Sequence, residues 1–440
     1  MVSLGCAKNQ IDGERMLYKL KQDGCQLVGD AALADVVIIN TCGFIEEAKQ
    51  EAIDDILEFA QLKKEGRIKK LIVTGCLAER YKSELIKEIP EADACVGIGS
   101  NDKICEIVHQ VMDGEQVESY GKKTDLPLTG GRIQTTLPYY SYLKIAEGCS
   151  NGCAFCAIPA IRGTFRSVPM EDLIEEASAL AADGVTELCV IAQDTTRYGV
   201  DLYGEPKLPE LLKKLCGIDG LKWIRVLYCY PDRITDELLD VIAEEDKIVK
   251  YIDMPIQHIS DKVLHDMRRG ETGDEIRAVI DRIRTRIPDV ILRTTLMVGF
   301  PGETEEQFEE LSEFVKDTRF DRLGCFAYSA EEGTLAAKMD GQIDEDIKQH
   351  RADVIMEQQM MIMAENNERF MDKTLTVLTE GFDRYGECYF GRSSMDAPDI
   401  DGKIYFTSSK HLTIGDYVDV RITETMDYDL IGEAVYEPAE

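Results

Sequence analysis

Basic residues are in short supply in this chain: 50 lysines and arginines stand against 83 aspartates and glutamates, a formal charge of −33. A protein that grips nucleic acid by its phosphates needs a basic face, so charge-driven binding of RNA or DNA is disfavoured and a basic protein partner suits the balance better. The same acidity also serves plain solubility. Histidine is scarce, five in 440 residues, and none falls in a pattern that would complete a zinc site with cysteine. No apolar run approaches the roughly 20 residues of a membrane span. The opening Met1-Val2-Ser3-Leu4-Gly5-Cys6 has neither the charged start nor the apolar stretch of a secretory signal. No membrane association is expected. Cysteine, by contrast, is plentiful at 14. Without an export signal these read as free thiols of a reducing compartment, the cytoplasm, open to metal rather than committed to disulfides.

Three of them fall in Glu147-Gly148-Cys149-Ser150-Asn151-Gly152-Cys153-Ala154-Phe155-Cys156, spaced C-x3-C-x2-C. Thiolates are the soft ligands that hold a four-iron, four-sulfur cube. Three of them cap three irons and leave the fourth open to a small molecule, as a catalytic cluster requires. Part of a structural zinc site is the plain alternative, but it normally brings paired C-x2-C knuckles or histidines. The nearest histidines in the sequence are His109 and His258.

Residues 1–120 alternate β-branched runs with helical patterns. Val36-Val37-Ile38-Ile39-Asn40 and Leu71-Ile72-Val73-Thr74-Gly75 read as strands, and residues 45–61 as an amphipathic helix. A small parallel α/β sheet follows, with Cys6, Cys42 and Cys76 just past strand ends, where open α/β sheets keep their ligands. Spacing alone leaves open a second metal site or three core thiols. Residues 121–137 read as a linker. From 138 to 371 strands and helices alternate again, including Leu188-Cys189-Val190-Ile191-Ala192, Trp223-Ile224-Arg225-Val226-Leu227-Tyr228, Tyr251-Ile252-Asp253-Met254 and a run from Ile291 to Val298. They predict a complete or partial βα barrel with its site at the carboxyl ends of the strands. Residues 372–440 switch to short alternating strands, a small antiparallel β-barrel of about five. Residues 349–368 form a Met-rich helix suited to packing. The fold class is α/β, in three parts.

An open-sited iron beside C-x3-C-x2-C suits the amino and carboxylate groups of S-adenosyl-L-methionine, and on these residues the chain resembles the radical S-adenosylmethionine superfamily. The resemblance implies a 5'-deoxyadenosyl radical made at Cys149, Cys153 and Cys156, with Phe155 packing near the adenine. Gln193, following a strand, Gln257 and Arg293 near other strand ends, and Gly299 and Gly302 in Gly299-Phe300-Pro301-Gly302-Glu303-Thr304 are candidate cofactor contacts. The last of these segments turns into a helix whose amides can face an anion.

All three parts in order, the last of the TRAM type, look like the methylthiotransferases over essentially the whole chain. That implies a second 4Fe-4S cluster on Cys6, Cys42 and Cys76. Ser3-Leu4-Gly5-Cys6-Ala7-Lys8-Asn9-Gln10, Asn40-Thr41-Cys42-Gly43-Phe44-Ile45-Glu46-Glu47-Ala48, Gln193-Asp194-Thr195-Thr196-Arg197-Tyr198-Gly199 and Gly391-Arg392-Ser393-Ser394-Met395-Asp396-Ala397-Pro398 are similar to the branch that modifies an aspartate of a small-subunit ribosomal protein, the RimO family. The implied reaction inserts a methylthio group at the β-carbon of that aspartate in uS12, free or on the small subunit. An electron donor such as flavodoxin or ferredoxin is implied, and no sulfur donor is indicated. A tRNA adenosine methylthiotransferase is the alternative, and an iron-sulfur carrier or an RNA-binding scaffold using the terminal barrel alone the non-enzymatic one. The pattern departs from the family at Ser167-Val168, where arginine commonly follows the serine. Arg166 offers a substitute one place earlier. The eight other cysteines read as ordinary thiols.

Overall fold

The computed structural model describes residues 1–436. Near the amino terminus, strands Val2–Ser3, Val36–Thr41, Lys70–Gly75, Ala94–Val96 and Val117–Ser119 form one sheet in chain order. Every pairing is parallel. The two long strands are buried at nearly every position, as a parallel sheet covered on both faces demands. The predicted helix is Glu46–Lys64. Cys76 opens a short helix straight after Gly75, which turns the chain with φ +96°. A Cβ there would lie 2.5 Å from the Thr41 carbonyl oxygen and 2.6 Å from its nitrogen. Gly75→Ala therefore combines a left-handed backbone with a backbone clash. It is expected to cost about 3 kcal/mol, read as a lowered denaturation midpoint of this unit.

The second sheet has six parallel strands in the order Arg322–Ala327, Ile291–Val298, Ile248–Asp253, Trp223–Val226, Glu187–Ile191, Tyr140–Lys144. Helices between consecutive strands cover its outer face with leucine, isoleucine and phenylalanine. It is a partial βα barrel, open between its first and last strands. The third unit is a closed barrel of Thr374–Asp383, Cys388–Ser393, Ile404–Thr407, Asp429–Ala434 and Tyr417–Met426. One of its pairings, Ile404–Thr407 with Asp429–Ala434, is parallel. Five strands cannot alternate in direction all the way round a closed ring, so one parallel pair is unavoidable.

Residues 392–401 of this barrel plug the concave face of the open sheet. Arg392 Nη2 donates to Glu187 Oε2 at 2.8 Å, Arg225 Nη1 to the Ser394 carbonyl at 3.0 Å, Arg322 Nη2 to Asp396 Oδ1 at 2.6 Å and the Tyr251 hydroxyl to Asp401 at 2.7 Å. Tyr140, Tyr142, Cys189 and Leu227 pack in the same cluster as Val377, Met395 and Ala397. The Gly391–Pro398 motif thus forms the floor of the barrel. Its carboxyl rim is left for chemistry.

Candidate active site between two cysteine sets

Cys149, Cys153 and Cys156 lie in the loop after Tyr140–Lys144, at the carboxyl rim. Burial raises the Cys149 thiol and pushes Cys156 up to about 12, and the sulfurs of this loop sense one another's charge. The loop is pinned from several sides. Asn151 Nδ2 donates to Asp194 Oδ2 at 2.9 Å, and Asp194, fully buried, also accepts from Thr196, the Arg197 amide and Arg233. The Tyr230 hydroxyl lies 3.8 Å from Cys153 Sγ. Arg269 stands 4.3 Å from the Tyr230 ring centroid.

Cys6 caps the helix Ala7–Gln22, Cys42 follows Val36–Thr41 and Cys76 follows Lys70–Gly75. Their loops touch: a Cβ on Gly5 would sit 2.7 Å from Cys42 Cβ and 2.9 Å from its sulfur, and one on Gly43 would sit 2.8 Å from Leu77 Cα. Burial pushes Cys76 up to about 12 and raises Cys42. Cys6 keeps solvent-exposed surface; crowding by the surrounding protein works to raise its thiol, but Lys8, Arg162 and the Lys8 and Asn9 amides outweigh it, and the thiol is lowered. Cys6 lines a cavity of about 320 Å³ with Ser3, Gln10, Glu14 and Thr135.

The two sets are tied together by a buried square of charge. Lys144 Nζ lies 2.5 Å from Asp12 Oδ1 and 2.8 Å from Glu147 Oε2; Arg162 Nη1 lies 2.9 Å from Asp12 Oδ2 and 3.1 Å from Glu147 Oε1. All four side chains are at most 2% exposed. Burial would raise the Glu147 carboxyl, but Arg162 and Lys144 overcome it and hold it well below the usual carboxylate range. Arg162 also donates to Asn9 Oδ1, and its charge works against the rise of the Cys76 thiol. Asp12 stands on the helix that Cys6 begins, and Glu147 two residues before Cys149. A second lock joins Arg80 and Lys49 to Glu331, at 2.7 and 3.1 Å.

Among the described residues no group of three or more His, Cys, Asp or Glu side chains could hold a single metal ion. A four-iron cube asks for something different, three thiolates spread over three irons. Each set offers three sulfurs from glycine-bearing loops, and in donor chemistry both fit such a cube.

Most of the candidate cofactor contacts lie past strand ends on the same rim, whereas Arg293 is the third residue of Ile291–Val298, inside the barrel. Phe155 packs with Ala154, Met267 and Phe300. Gln193 is half-buried after Glu187–Ile191. Gln257 has φ +71°, its amide donating to the Thr295 carbonyl. Gly299 turns with φ +73°, and its amide and that of Phe300 donate to Glu303 Oε2 at 2.7 and 3.2 Å. The anion facing those amides is the chain's own. Gly302 donates to the Gly341 carbonyl. Arg293 pairs with Asp253 at 2.8 Å and approaches Asp401 of the plug at 3.7 Å. Arg166 is turned to the linker, donating to the carbonyls of Lys123 and Thr124. Asn151, Asp194, Tyr230, Arg269, Arg162 and Lys8 join the site without having been singled out in sequence. The aromatic run Tyr228-Cys229-Tyr230 at a strand end was the one local sign.

Three family models match: the radical SAM superfamily over residues 143–315, the uncharacterized protein family UPF0004 over 1–97 and the TRAM domain over 373–435. The chain is 52% identical over 434 residues to the ribosomal protein uS12 methylthiotransferase RimO of Thermoanaerobacter sp. strain X514, covering 98% of this chain and 99% of that one. It is 50% identical to the RimO of Clostridioides difficile (99% and 98% covered) and 49% identical to that of Geobacter sulfurreducens (99% and 98%). Among solved structures, the radical S-adenosylmethionine methyltransferase TsrM of Kitasatospora setae superposes with a TM-score of 0.56 at 12% identity, covering 74% of this chain and 72% of that one. That likeness is one of fold.

Proposed function

Because the chain belongs to the RimO family of ribosomal protein uS12 methylthiotransferases, we propose that it inserts a methylthio group at the β-carbon of an aspartate in uS12 by radical S-adenosylmethionine chemistry. The observation that carries this reading is the pair of three-cysteine sets joined through the Asp12–Lys144–Glu147–Arg162 square. Cys149, Cys153 and Cys156 would hold one 4Fe-4S cluster and Cys6, Cys42 and Cys76 a second. Bound there with S-adenosyl-L-methionine, these groups supply the hydrogen-abstracting radical and the sulfur to be transferred.

The chain's own residues hold the geometry. Asp194, through Asn151 and Arg197, fixes the loop of Cys149 and Cys153. Phe155, Gln193, Gln257, Gly299 and Gly302 on the rim and Arg293 inside the barrel are the proposed cofactor contacts. With Arg293 engaged by Asp253 and Glu303 occupying the turn amides, Phe155 and the half-buried Gln193 are the freest to bind. The plug of residues 392–401 closes the floor, as radical chemistry requires. The proposed division is a cluster domain at 1–120, a linker at 121–137, a radical barrel at 138–371 and a TRAM barrel at 372–440. The end of strand Val117–Ser119, the end of helix Glu345–Asn367 and the start of strand Thr374–Asp383 support it. The net charge favours a basic ribosomal protein over nucleic acid. A cytoplasmic enzyme reduced by a flavodoxin or ferredoxin completes the reading.

Anaerobic reconstitution is expected to give about eight irons per chain, with about four left in the Cys149, Cys153 and Cys156 triple variant. The loaded enzyme should add one methylthio group to uS12, seen as a mass gain. A deletion strain that keeps modified uS12 but loses a methylthioadenosine from its tRNA would overturn the substrate assignment.

A further inference from the structure

Lys8 is 4% exposed. Among the described residues its ammonium has no carboxylate partner and no hydrogen-bond acceptor. The other buried cations have carboxylates: Lys144 and Arg162 in the charge square, Arg225 and Arg392 on Glu187, Arg322 on Asp396. An unpaired buried ammonium is costly, and the cost is relieved when an anion arrives.

Its surroundings say where that anion would sit. Lys8 is two residues from Cys6, and its Nζ lies 3.3 Å from the centroid of the Tyr228 ring. Tyr228 stands just past the end of Trp223–Val226, on the barrel rim, with φ +62°. A left-handed backbone is an outlier for a residue of this bulk and persists only where its surroundings hold it. Here the Tyr228 amide donates to Asp253 Oδ2 at 2.9 Å, and its carbonyl accepts from the Thr195 amide at 3.1 Å. Two residues on, Tyr230 reaches Cys153. The ammonium therefore lies in the space between the two cysteine sets. Its charge is the strongest of those that lower the Cys6 thiol, ahead of Arg162 and the Asn9 and Lys8 amides, so the ammonium already acts on the space beside that sulfur.

We propose that Lys8 is a specificity-determining residue whose ammonium, held against the Tyr228 ring, receives the side-chain carboxylate of the target aspartate. This rests on the function proposed above. The ion pair would hold the carboxylate with its neighbouring β-carbon between the two cysteine sets, and would select aspartate over its neutral isostere.

The test is anaerobic binding of two peptides to the reconstituted holoenzyme. One spans the target aspartate of uS12 and the other carries asparagine there. Wild type is expected to prefer the aspartate peptide by ~30-fold or more, the usual consequence of leaving one partner of a buried charge pair alone. Lys8→Gln should bind both peptides alike at full iron content, and Lys8→Arg should restore part of the preference. If Lys8→Gln discriminates as wild type does, the assignment of Lys8 falls and the proposed function stands. Iron lost equally from Lys8→Gln and Lys8→Arg assigns the residue to holding Cys6 and overturns the proposal too. A wild-type enzyme indifferent between the peptides, and unable to modify uS12, would overturn both.

Discussion

Alanine at Cys149, Cys153 or Cys156 is expected to cut release of 5'-deoxyadenosine from S-adenosylmethionine by ~10³-fold or more, a barrier increase of about 4 kcal/mol. Alanine at Cys6, Cys42 or Cys76 is expected to retain that partial reaction and lose transfer of the methylthio group. The two sets differ in how they are built. The first sits on one loop of ten residues, pinned by Asp194 and Tyr230. The second is assembled from three loops of another sheet that meet only through tertiary packing, with Gly5 pressed against Cys42. Losing a ligand from one leaves the backbone of the other intact. Equal loss of 5'-deoxyadenosine in both sets, measured by chromatography after dithionite reduction, would sink the division of labour.

Glu187→Gln is expected to destabilise the union of the open sheet with the terminal barrel by about 3–5 kcal/mol, the range for breaking a buried ion pair on one side. Glu187 is fully buried and receives Arg225 Nε at 3.0 Å and Arg392 Nη2 at 2.8 Å. Arg392 keeps Glu380 at 2.7 Å, but Arg225 loses its carboxylate partner. The measurement is protease susceptibility of the junction near residue 372 across a urea series. Acid should act in the same direction. Burial pushes the Glu187 carboxyl up, yet Arg392 and Arg225 outweigh it and leave it below the ordinary carboxylate value. A depressed carboxyl contributes stability that is complete above its unfolded pKa, about 4.3, and is lost as pH falls through the folded value. Wild type should therefore loosen at the junction below that pH, and Glu187→Gln should be insensitive in the same window.

The long strands were legible because four or five β-branched or apolar residues in a row leave little else for the chain to do. Val36–Thr41 and Ile291–Val298 are examples. Ala94–Val96 and Val117–Ser119 are three residues each, too short for any period to emerge, and Arg322–Ala327 carries a glycine at its middle. C-x3-C-x2-C announced itself because its ligands share one loop. Cys6, Cys42 and Cys76 did not, since their meeting depends on sheet order, and only the family resemblance joined them. The charge square was invisible for the same reason: Lys144 meets Asp12 across 132 positions and Arg162 across 150. The segment around Arg392 was legible as a family trait, while its physical work, filling the sheet's concave face, depends on a partner 205 positions away.

That floor has a consequence in the order of synthesis. Residues 392–401 follow every strand of the open sheet in the chain, so on the ribosome the sheet is complete before its plug exists. During that interval Glu187, Arg225, Tyr251 and Arg322 face a concavity filled only by water. Water hydrates these groups readily, whereas an apolar lining would invite collapse or association. These charged and hydroxyl groups stand among the apolar Cys189, Leu227 and Ile291 of the same face, so they keep part of it hydrated while the chain is unfinished, and arrival of the terminal barrel turns them from hydrated surface into buried latch.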